Sequence, residues 1–370
     1  MTYEFVNPET KKIRKIEMDG KIIRKSLNDR RSKVVCDDEI YAEKKFNKDI
    51  VSYLRNGFIY SHSVAEWGEI RTQFSLGKNP YTGFMPIATR EDRDDFFVLY
   101  VTGNFKDEIL CHYDEDGQLL SQYSLGADRL SYKIVWDKND TIYLNNLHQI
   151  ESFSPAVNKL EIIADTKDSF QSMLDLKGNH ILWFTGKEIV VYDMVKKKYI
   201  WRREVVCQKT DIVHTIYYHI ALLSQTGNKL LYRVEKEGYH LIDLATQKEY
   251  FINNEGWHSF FSPDDCYVNI DGITYDTETG NQVSNPFDFT VKENITIFDA
   301  CDIISRNLLM AVRQELKKNP LEIREYKNPK LLATIKVSYP YMAQNYSFAF
   351  TKNNLVIYTD LGIVTVYRLS

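Results

Sequence analysis

A hairpin motif that recurs along the chain constrains the fold more than any other feature of the sequence. The segments SVAEWGEIRTQFSLG (63–77) and HYDEDGQLLSQYSLG (112–126) both end in Gln-aromatic-Ser-Leu-Gly, and their central glycines, Gly68 and Gly117, align. A third copy, KIEMDGKIIRKSL, has Gly20 at the same point. Each copy alternates apolar and polar residues on both sides of a glycine turn, which is the pattern of a β-hairpin.

Weaker copies continue to the C-terminus at an average spacing of about 44 residues. The residues four positions before the successive turn centres are Ile16, Val64, Tyr113, Phe153, Tyr192, Ile242, Tyr275, Tyr326 and Tyr367. A second series of hairpins precedes these, as in KIVWDKNDTIYL (133–144), SMLDLKGNHILWF (172–184), FFSPDDCYVNI (260–270) and FAFTKNNLVIY (348–358). Each unit therefore holds about four short strands, which is the size of a propeller blade.

The composition agrees with an all-β chain. The sequence has 25 Tyr and 19 Phe but 16 Gly and 9 Pro in 370 residues, and aromatic side chains favour strands. No Pro/Gly/Ser-rich linker divides it, so we expect residues 1–370 to form a single β-propeller domain. The segment SRNLLMAVRQELKK (305–318) has a helical period, but its NLLMAVRQ core also fits a blade strand, which we favour.

The hairpin count favours eight four-stranded blades. The last unit supplies three strands and ends at IVTVYRLS, and strands within residues 3–26 can supply its outermost strand, so that both chain ends close the ring. Residues 1–26 would then complete the last blade. Seven blades are the alternative, with residues 1–40 as an added element. Closure of this kind protects the sheet edges from other chains.

Two short motifs resemble known propeller repeats. FSPDDCYV (261–268) is similar to the turn between the first two strands in WD40, TolB-like and quinoprotein-like blades. ITYDTETGNQV (273–283) and VVYDMVKKKYIW (190–201) resemble their third strand, Asp turn and fourth strand. No Gly-His dipeptide of WD40 repeats and no tryptophan docking motif of quinoproteins is present, and Trp-Asp occurs once, at Trp136-Asp137 in KIVWDKNDTIYL, rather than as a recurring dipeptide. The resemblance therefore implies architecture, and no cofactor residue carries over.

Charge and cysteine usage bear on the partner and the compartment. The net charge of −4 argues against a general nucleic-acid binder, although residues 1–33 carry ten Lys or Arg against five acids. We read that segment as a solvated hairpin. The five cysteines form no CxxC pair and lie mostly in apolar strands, so we expect buried free thiols. With no secretory signal and no apolar run of membrane-spanning length, these features predict a cytoplasmic protein.

The sequence contains no recognisable catalytic or metal-binding motif. His214 and His219 are five residues apart, which places them on opposite faces of a strand. The acid pairs Asp94/Asp95 and Asp264/Asp265 fall in predicted turns, where such side chains bond the nearby backbone. No GxxxxGK[ST] or GxSxG motif occurs. We therefore expect no catalytic residue, no metal and no cofactor, although propeller enzymes can assemble a site from several blades.

Aromatic side chains in predicted turns are the candidate partner-binding residues. They are Trp67 in a hairpin turn, Tyr81 in GKNPYTGF, and Trp257 and His258 in NNEGWHSFF. Exposed aromatics often anchor protein interfaces, although each ring could instead cap the gap between two blades. Trp136, Trp183 and Trp201 lie within alternating strands, and the recurring tyrosines occupy one blade position, so we interpret both sets as packing residues.

These features favour a non-enzymatic propeller that binds another protein through its loops. It could be an intracellular scaffold or an immunity-type protein that neutralises a partner such as a toxin. One alternative is a lyase or hydrolase that acts on a sugar or peptide in the central channel. A second alternative is binding to nucleic acid or a membrane surface through the basic N-terminal segment.

Overall fold

The computed structural model describes residues 1–28, 30–77, 80, 85–102, 106–146, 149–165, 174–184, 188–205, 221–234, 236–256, 259–286, 303–306, 309–313, 320–325, 331–336 and 346–370. These residues contain 33 strands and one α-helix. The chain divides into two compact units, Met1–Leu130 with Val337–Ser370, and Ser131–Lys336. The single-domain organisation that we expect from the sequence stays a prediction.

In the first unit, a helix-covered sheet begins the chain. Its strands are β1 (Thr2–Val6), β2 (Ile13–Asp19), β3 (Ile22–Leu27) and β4 (Arg30–Val35), paired antiparallel in chain order. Helix α1 (Glu39–Arg55) covers one face, where Phe46 and Ile50 cluster with Ile16 and Ile23. We call β1–β4 and α1 the N-terminal sheet.

Helix α1 was not predicted from the sequence. Asp38 caps its N-terminus by accepting a hydrogen bond from the Tyr41 backbone N–H at 2.6 Å. Ala42, Phe46 and Ile50 recur every four residues and form its buried stripe. The helical period noted within 305–318 does not produce a helix in its described part, because Leu309–Arg313 is a strand, as we favoured.

Strands from both ends of the chain complete the same sheet. They are β5 (Ile59–Ser61), β6 (Ile70–Ser75), β31 (Tyr346–Phe350), β32 (Asn354–Thr359) and β33 (Ile363–Arg368), in the order β31-β32-β33-β6-β5-β1-β2-β3-β4. The strand beside β33 is β6, so our assignment of that place to residues 3–26 is wrong. Three consecutive residues of β6 are buried, so both of its faces are covered, whereas β2 has one apolar face.

A second sheet of the first unit packs against these C-terminal strands. It consists of β7 (Ile87–Thr89), β8 (Phe96–Val101), β9 (Glu108–Tyr113) and β10 (Leu119–Ser124), with β10 outermost and paired to β9. Phe96 and Val98 form one apolar cluster with Phe74, Val356 and Val364 from β6, β32 and β33. The core of this unit therefore lies between two sheets, as it does between adjacent blades.

The second unit contains five four-stranded antiparallel sheets, each built from consecutive strands. In chain order the strands are β11 (Lys133–Trp136), β12 (Ile142–Asn145), β13 (Gln149–Ser154), β14 (Lys159–Asp165), β15 (Leu174–Lys177), β16 (His180–Phe184), β17 (Glu188–Asp193), β18 (Lys198–Glu204), β19 (Ala221–Leu223), β20 (Lys229–Val234), β21 (Gly238–Asp243), β22 (Glu249–Ile252), β23 (Ser259–Phe261), β24 (Tyr267–Ile270), β25 (Ile273–Asp276), β26 (Gln282–Val283), β27 (Ile303–Arg306), β28 (Leu309–Arg313), β29 (Pro320–Glu325) and β30 (Leu331–Lys336).

The hairpins predicted from the repeat are present. The Gly20 hairpin is β2–β3, the Gly68 hairpin is β5–β6 and the Gly117 hairpin is β9–β10. The weaker copies also pair as expected, for example β17 with β18 and β25 with β26. The described strands fall into seven sheets, which is the number in our alternative count and one fewer than the count we favoured. The number of blades itself stays a prediction.

Candidate functional site

An exposed turn between β5 and β6 carries the one described residue among the four aromatic candidates. Residues 62–69 form this turn, which we call the Trp67 turn. The side chain of Trp67 is 38% exposed and that of Val64 is 75% exposed, whereas Ala65 between them is buried. Tyr81, Trp257 and His258 lie outside the described residues, so their role as partner-binding residues stays a prediction.

The backbone of the Trp67 turn is fixed by the end of β33. The Gly68 N–H donates to the Arg368 carbonyl oxygen at 2.6 Å, and the Arg368 N–H donates to the Glu69 carbonyl oxygen at 3.0 Å. The Arg368 guanidinium also donates to the Ala65 carbonyl oxygen at 3.1 Å. Gly68 has a φ of +81°, which glycine adopts without a steric cost. The two exposed apolar side chains therefore stand on a rigid frame.

Acidic side chains surround this turn. Glu66 and Glu69 are exposed within it, and Arg71 at the start of β6 bonds Glu115 at 2.7 Å and Asp116 at 2.9 Å in the β9–β10 turn. Partial burial lowers the pKa of Arg71, but the hydrogen bonds and charges of Asp116 and Glu115 outweigh it and raise that pKa. Arg71 is therefore paired with the carboxylates of Glu115 and Asp116. Glu66 and Glu69 give the surface beside Trp67 an acidic character.

Val64 is the residue that sequence reasoning missed at this site. The repeat places it four positions before the turn centre, where Tyr113 and Tyr367 are buried in strands, so we treated it as a strand residue. The connection between β5 and β6 is longer than the other hairpin turns and includes Val64. Its position three residues before Trp67 was the signal that could have identified Val64 as a second apolar residue of the same turn.

The other tryptophans pack between strands, as we expected. Trp136 and Trp183 are buried, and Trp183 clusters with Ile150 and Ile181. The Trp201 ring lies 5.2 Å from that of Tyr232, centroid to centroid. The recurring tyrosines behave similarly, because Tyr113 of one sheet contacts Phe74 of the next with ring centroids 4.5 Å apart. Burial raises the pKa of Tyr113 well above its ordinary value, in keeping with a packing role. Tyr326 lies outside the described residues.

The paired acids act as turn residues that tie neighbouring sheets together. Asp94, between β7 and β8, accepts hydrogen bonds from the Asn353 N–H and side chain, both at 2.6 Å. Asp265, between β23 and β24, accepts from the Gln225 N–H at 2.6 Å and from the Thr226 hydroxyl at 2.6 Å. Both residues lie in turns, as predicted, but their carboxylates accept hydrogen bonds from the adjacent sheet rather than from the nearby backbone.

The four described histidines each face a carboxylate within the sheets or turns. The pairs are His62–Glu69 at 3.8 Å, His112–Asp95 at 2.6 Å, His180–Asp193 at 3.7 Å and His240–Glu249 at 2.6 Å. His112 also stacks on Phe97 at 4.2 Å. The remaining histidines, including His214 and His219, lie outside the described residues. In the part of the chain that the structure describes, no group of three His, Cys, Asp or Glu side chains could hold a metal ion.

Two of the expected buried thiols are confirmed and one is not. Cys36 and Cys111 are free and buried, whereas Cys266 is free but exposed in the β23–β24 turn. Within that turn the Cys266 N–H donates a hydrogen bond to the Asp264 carboxylate at 3.2 Å. Cys207 and Cys301 lie outside the described residues. Across the described residues, no helix has the length and apolar character required to cross a membrane.

Comparison with known proteins identifies the fold. No protein-family model matches the sequence, and no curated protein matches it. Among solved structures, a WD40 propeller chain of the mitotic checkpoint complex is similar with a TM-score of 0.57 at 10% identity, over 83% of this chain and 96% of that chain. The fold is a β-propeller. BamB from Moraxella catarrhalis is also similar, with a TM-score of 0.48 at 11% identity, over 79% of this chain and 86% of that chain.

In this propeller the four-stranded sheets are the blades, which confirms the expected all-β architecture. The Trp67 turn leads into β6, the outer strand of the blade that contains the C-terminus. The N-terminal sheet continues that blade outward through β5 and is an addition to the repeat. Both features belong to the first unit.

Proposed function

We propose that this propeller is a non-enzymatic protein-interaction module that binds its partner through the Trp67 turn. The observation that carries the proposal is the exposure of Trp67 and Val64 on a turn whose backbone is held by Arg368. Tryptophan is enriched among the residues that dominate binding energy at protein interfaces. An anchor that is already ordered loses little conformational entropy when a partner covers it.

The charges around the turn indicate the chemistry of the partner. Glu66 and Glu69 flank Trp67, and the Glu115 and Asp116 pair lies next to them through Arg71. A partner surface with an apolar pocket rimmed by Lys or Arg would match this arrangement. Such a rim chiefly raises the association rate, whereas the buried anchor sets the dissociation rate.

The proposal includes two biological forms, an intracellular scaffold and an inhibitor that neutralises a protein partner. The mitotic checkpoint complex, which contains a chain of the same fold, is an assembly, and this supports a role in binding proteins. The free thiols Cys36 and Cys111 support a reducing compartment such as the cytoplasm. The protein-binding role and the reducing compartment are both part of the proposal.

The experiment is co-purification of the full chain from its native cell, followed by titration of the purified partner. We expect Trp67→Ala to weaken the complex by roughly 30-fold or more, as hot-spot truncations do, and Val64→Ala to weaken it less. Val157→Ala is the matched control, because Val157 is an exposed valine in the β13–β14 turn. All three variants should keep the melting temperature of the unmodified protein.

Two results would contradict the proposal. One is a partner that binds Trp67→Ala as tightly as it binds the unmodified protein. The other is failure to recover any protein partner while a small sugar or peptide raises the melting temperature, which would favour the enzymatic alternative.

A further inference from the structure

The outer edge of β4 differs from the outer edges of the blades. Four of the outermost blade strands, β10, β14, β18 and β30, pair with a register shift, and β22 and β26 are four and two residues long. Shifts and short strands are devices that protect a sheet edge from other chains. Strand β4 instead pairs all six of its residues with β3 in continuous register. It therefore presents a long, regular edge.

The hydrogen-bond alternation shows which backbone groups of β4 have no partner among the described residues. The Cys36 N–H donates to the Lys21 carbonyl oxygen at 2.9 Å, which extends the β3–β4 ladder by one bonded pair. Because bonded and non-bonded pairs alternate in an antiparallel ladder, residues 30, 32 and 34 also bond to β3. The N–H and carbonyl groups of Arg31, Lys33 and Val35 then point away from the sheet. Their side chains share the face opposite α1, since Val34 packs beneath the helix.

The positive charges of β4 have no partner among the described residues. Farther inside the sheet, Lys15, Arg24 and Lys25 are paired with Glu4, Glu17 and Asp49. Arg30, Arg31 and Lys33 are exposed and form no ion pair with any described residue. Charged residues on an edge strand are also a general defence against aggregation. That defence does not require the charges to share one sign, or to lack partners, on the one outer edge among the described sheets that is both long and regular.

We propose that β4 binds an extended, acidic peptide segment of a partner protein, which pairs with it as an additional strand. The free N–H and carbonyl groups of Arg31, Lys33 and Val35 would complete a ladder with that segment. Carboxylates opposite Arg31 and Lys33 and an apolar residue opposite Val35, which is 67% exposed, would match the edge. This proposal rests on the proposed protein-interaction function and adds a second contact surface to it.

Two other occupants fit the edge less well. A second copy of the chain, paired β4 to β4, would bring Arg31 and Lys33 against like charges, which is unfavourable. A nucleic acid or an anionic membrane would neutralise the cations but would leave the free donors and acceptors of the strand unpaired. A peptide strand satisfies both the charge and the ladder.

The test uses the full chain and a fluorescent seven-residue peptide with Val, Glu and Glu at alternate positions and Thr at the other four. One control peptide has Lys in place of Glu. A second has the same acidic sequence with alternate backbone nitrogens methylated, so that it keeps the charge but cannot form the ladder. We expect the acidic peptide to bind and both controls to bind at least about tenfold more weakly, because each removes one of the two required interactions.

Variants at position 33 separate the backbone from the charge. Lys33→Ala removes one cation, and Lys33→Pro removes the same cation together with the outward N–H, without breaking a bond to β3. We expect Lys33→Pro to weaken peptide binding about tenfold more than Lys33→Ala does, the scale of a lost ladder contact. The melting temperatures of both variants should match that of the unmodified protein, which excludes unfolding as the cause.

The outcomes are decisive. Equal binding of the acidic and methylated peptides, or binding of an oligonucleotide or anionic vesicle that Lys33→Pro leaves unchanged, would show an electrostatic patch and overturn the proposal. Absence of acidic-peptide binding would also overturn it. A native partner that depends on Trp67 and is unaffected by Lys33→Pro would refute the β4 site and leave the proposed function intact, whereas absence of any protein partner would refute the function itself.

Discussion

The N-terminal sheet and the β7–β10 blade contain hairpins that are similar in sequence, yet they are built differently. The Gly117 hairpin consists of β9 and β10. In β9, and in β8 beside it, five of six residues are buried, so both faces of that blade are covered. The Gly20 hairpin consists of β2 and β3, whose buried residues Ile16 and Ile23 lie on one face under α1. The hairpin motif alone does not make a blade. Apolar residues on both faces are also required.

The largest expected effect comes from removing a buried phenylalanine ring from each of the two regions. Phe96→Ala, in the blade, and Phe46→Ala, in α1, each remove a buried ring, and such truncations cost about 3–5 kcal/mol. We expect Phe96→Ala to lower the global free energy of unfolding in urea. Phe46→Ala should act mainly on the N-terminal sheet, since the cluster around α1 is formed mostly by residues of that helix and sheet, with Ile363 of β33 at its border.

Hydrogen exchange read by mass spectrometry would distinguish the two effects. Amides of residues 2–35 should lose protection in Phe46→Ala while those of β8 and β9 keep it. Ile40→Ala is the control, because Ile40 lies exposed on the same helix. Equal loss of protection in both regions would show that the N-terminal sheet and the blade unfold as one cooperative unit.

The next effect concerns the two aligned glycines. Gly117 and Gly20 have φ values of +77° and +53°, so alanine at either position costs about 1–2 kcal/mol in backbone strain. A Cβ at Gly117 would also lie 2.7 Å from Cδ1 of Phe74, whereas at Gly20 the nearest atom is 3.6 Å away. Overpacking of this kind adds about 1–3 kcal/mol. Urea denaturation should therefore show Gly117→Ala as the less stable variant, and equal stabilities would contradict the close contact between blades.

The smallest effect is a difference in thiol reactivity. Burial raises the pKa of Cys111 to about 12, so this blade thiol is almost fully protonated at pH 8, and the thiolate is the reactive form. We expect an alkylating reagent to modify exposed Cys266 first, then Cys36 beneath α1 as the N-terminal sheet opens, and Cys111 last. Peptide mapping by mass spectrometry gives the three rates.

The pH dependence of the same thiol has a definite sign. Because the folded state holds Cys111 neutral above the pKa of an unfolded cysteine, its contribution to stability is complete below about pH 8.5 and is lost as the pH rises toward 12. The free energy of unfolding should fall less steeply over that range in Cys111→Ala than in the unmodified protein. In the alkylation experiment, modification of Cys111 before Cys36 at pH 8 would contradict the expected opening of the N-terminal sheet.

Local pairing could be predicted from the sequence, because a hairpin depends on residues that are close together in the chain. The alternation around Gly20 and Gly117 and the Asp turns at 193 and 276 all gave the observed strand pairs. The neighbour of β33 could not be predicted in this way. β6, which pairs with β33, is buried on both faces, whereas β2 has one apolar face, which α1 covers, and this difference depends on contacts between residues far apart in the chain.

The candidate site could also be predicted only where it depends on residues close together in the chain. Trp67 was identified from the sequence as a residue of a hairpin turn, and its side chain is exposed there, while its role in binding a partner stays a prediction. The roles of Val64 and Arg368 depend on the length of one turn and on a contact from the far end of the chain. The regular edge of β4 becomes visible only when its register is compared with those of the blades. Spacing along a single sequence contains neither kind of information.

The pairing of β33 with β6 also determines when β6 can complete its sheet during synthesis. Gln73 and Thr365, which share a buried hydrogen bond, are 292 residues apart, so β6 leaves the ribosome long before its partner exists. At ordinary rates of synthesis that delay is roughly 15 to 60 seconds. During this time the N-terminal sheet can already hold β5, while one side of β6 is open to any other nascent chain. Translation of β33 ends this vulnerable period.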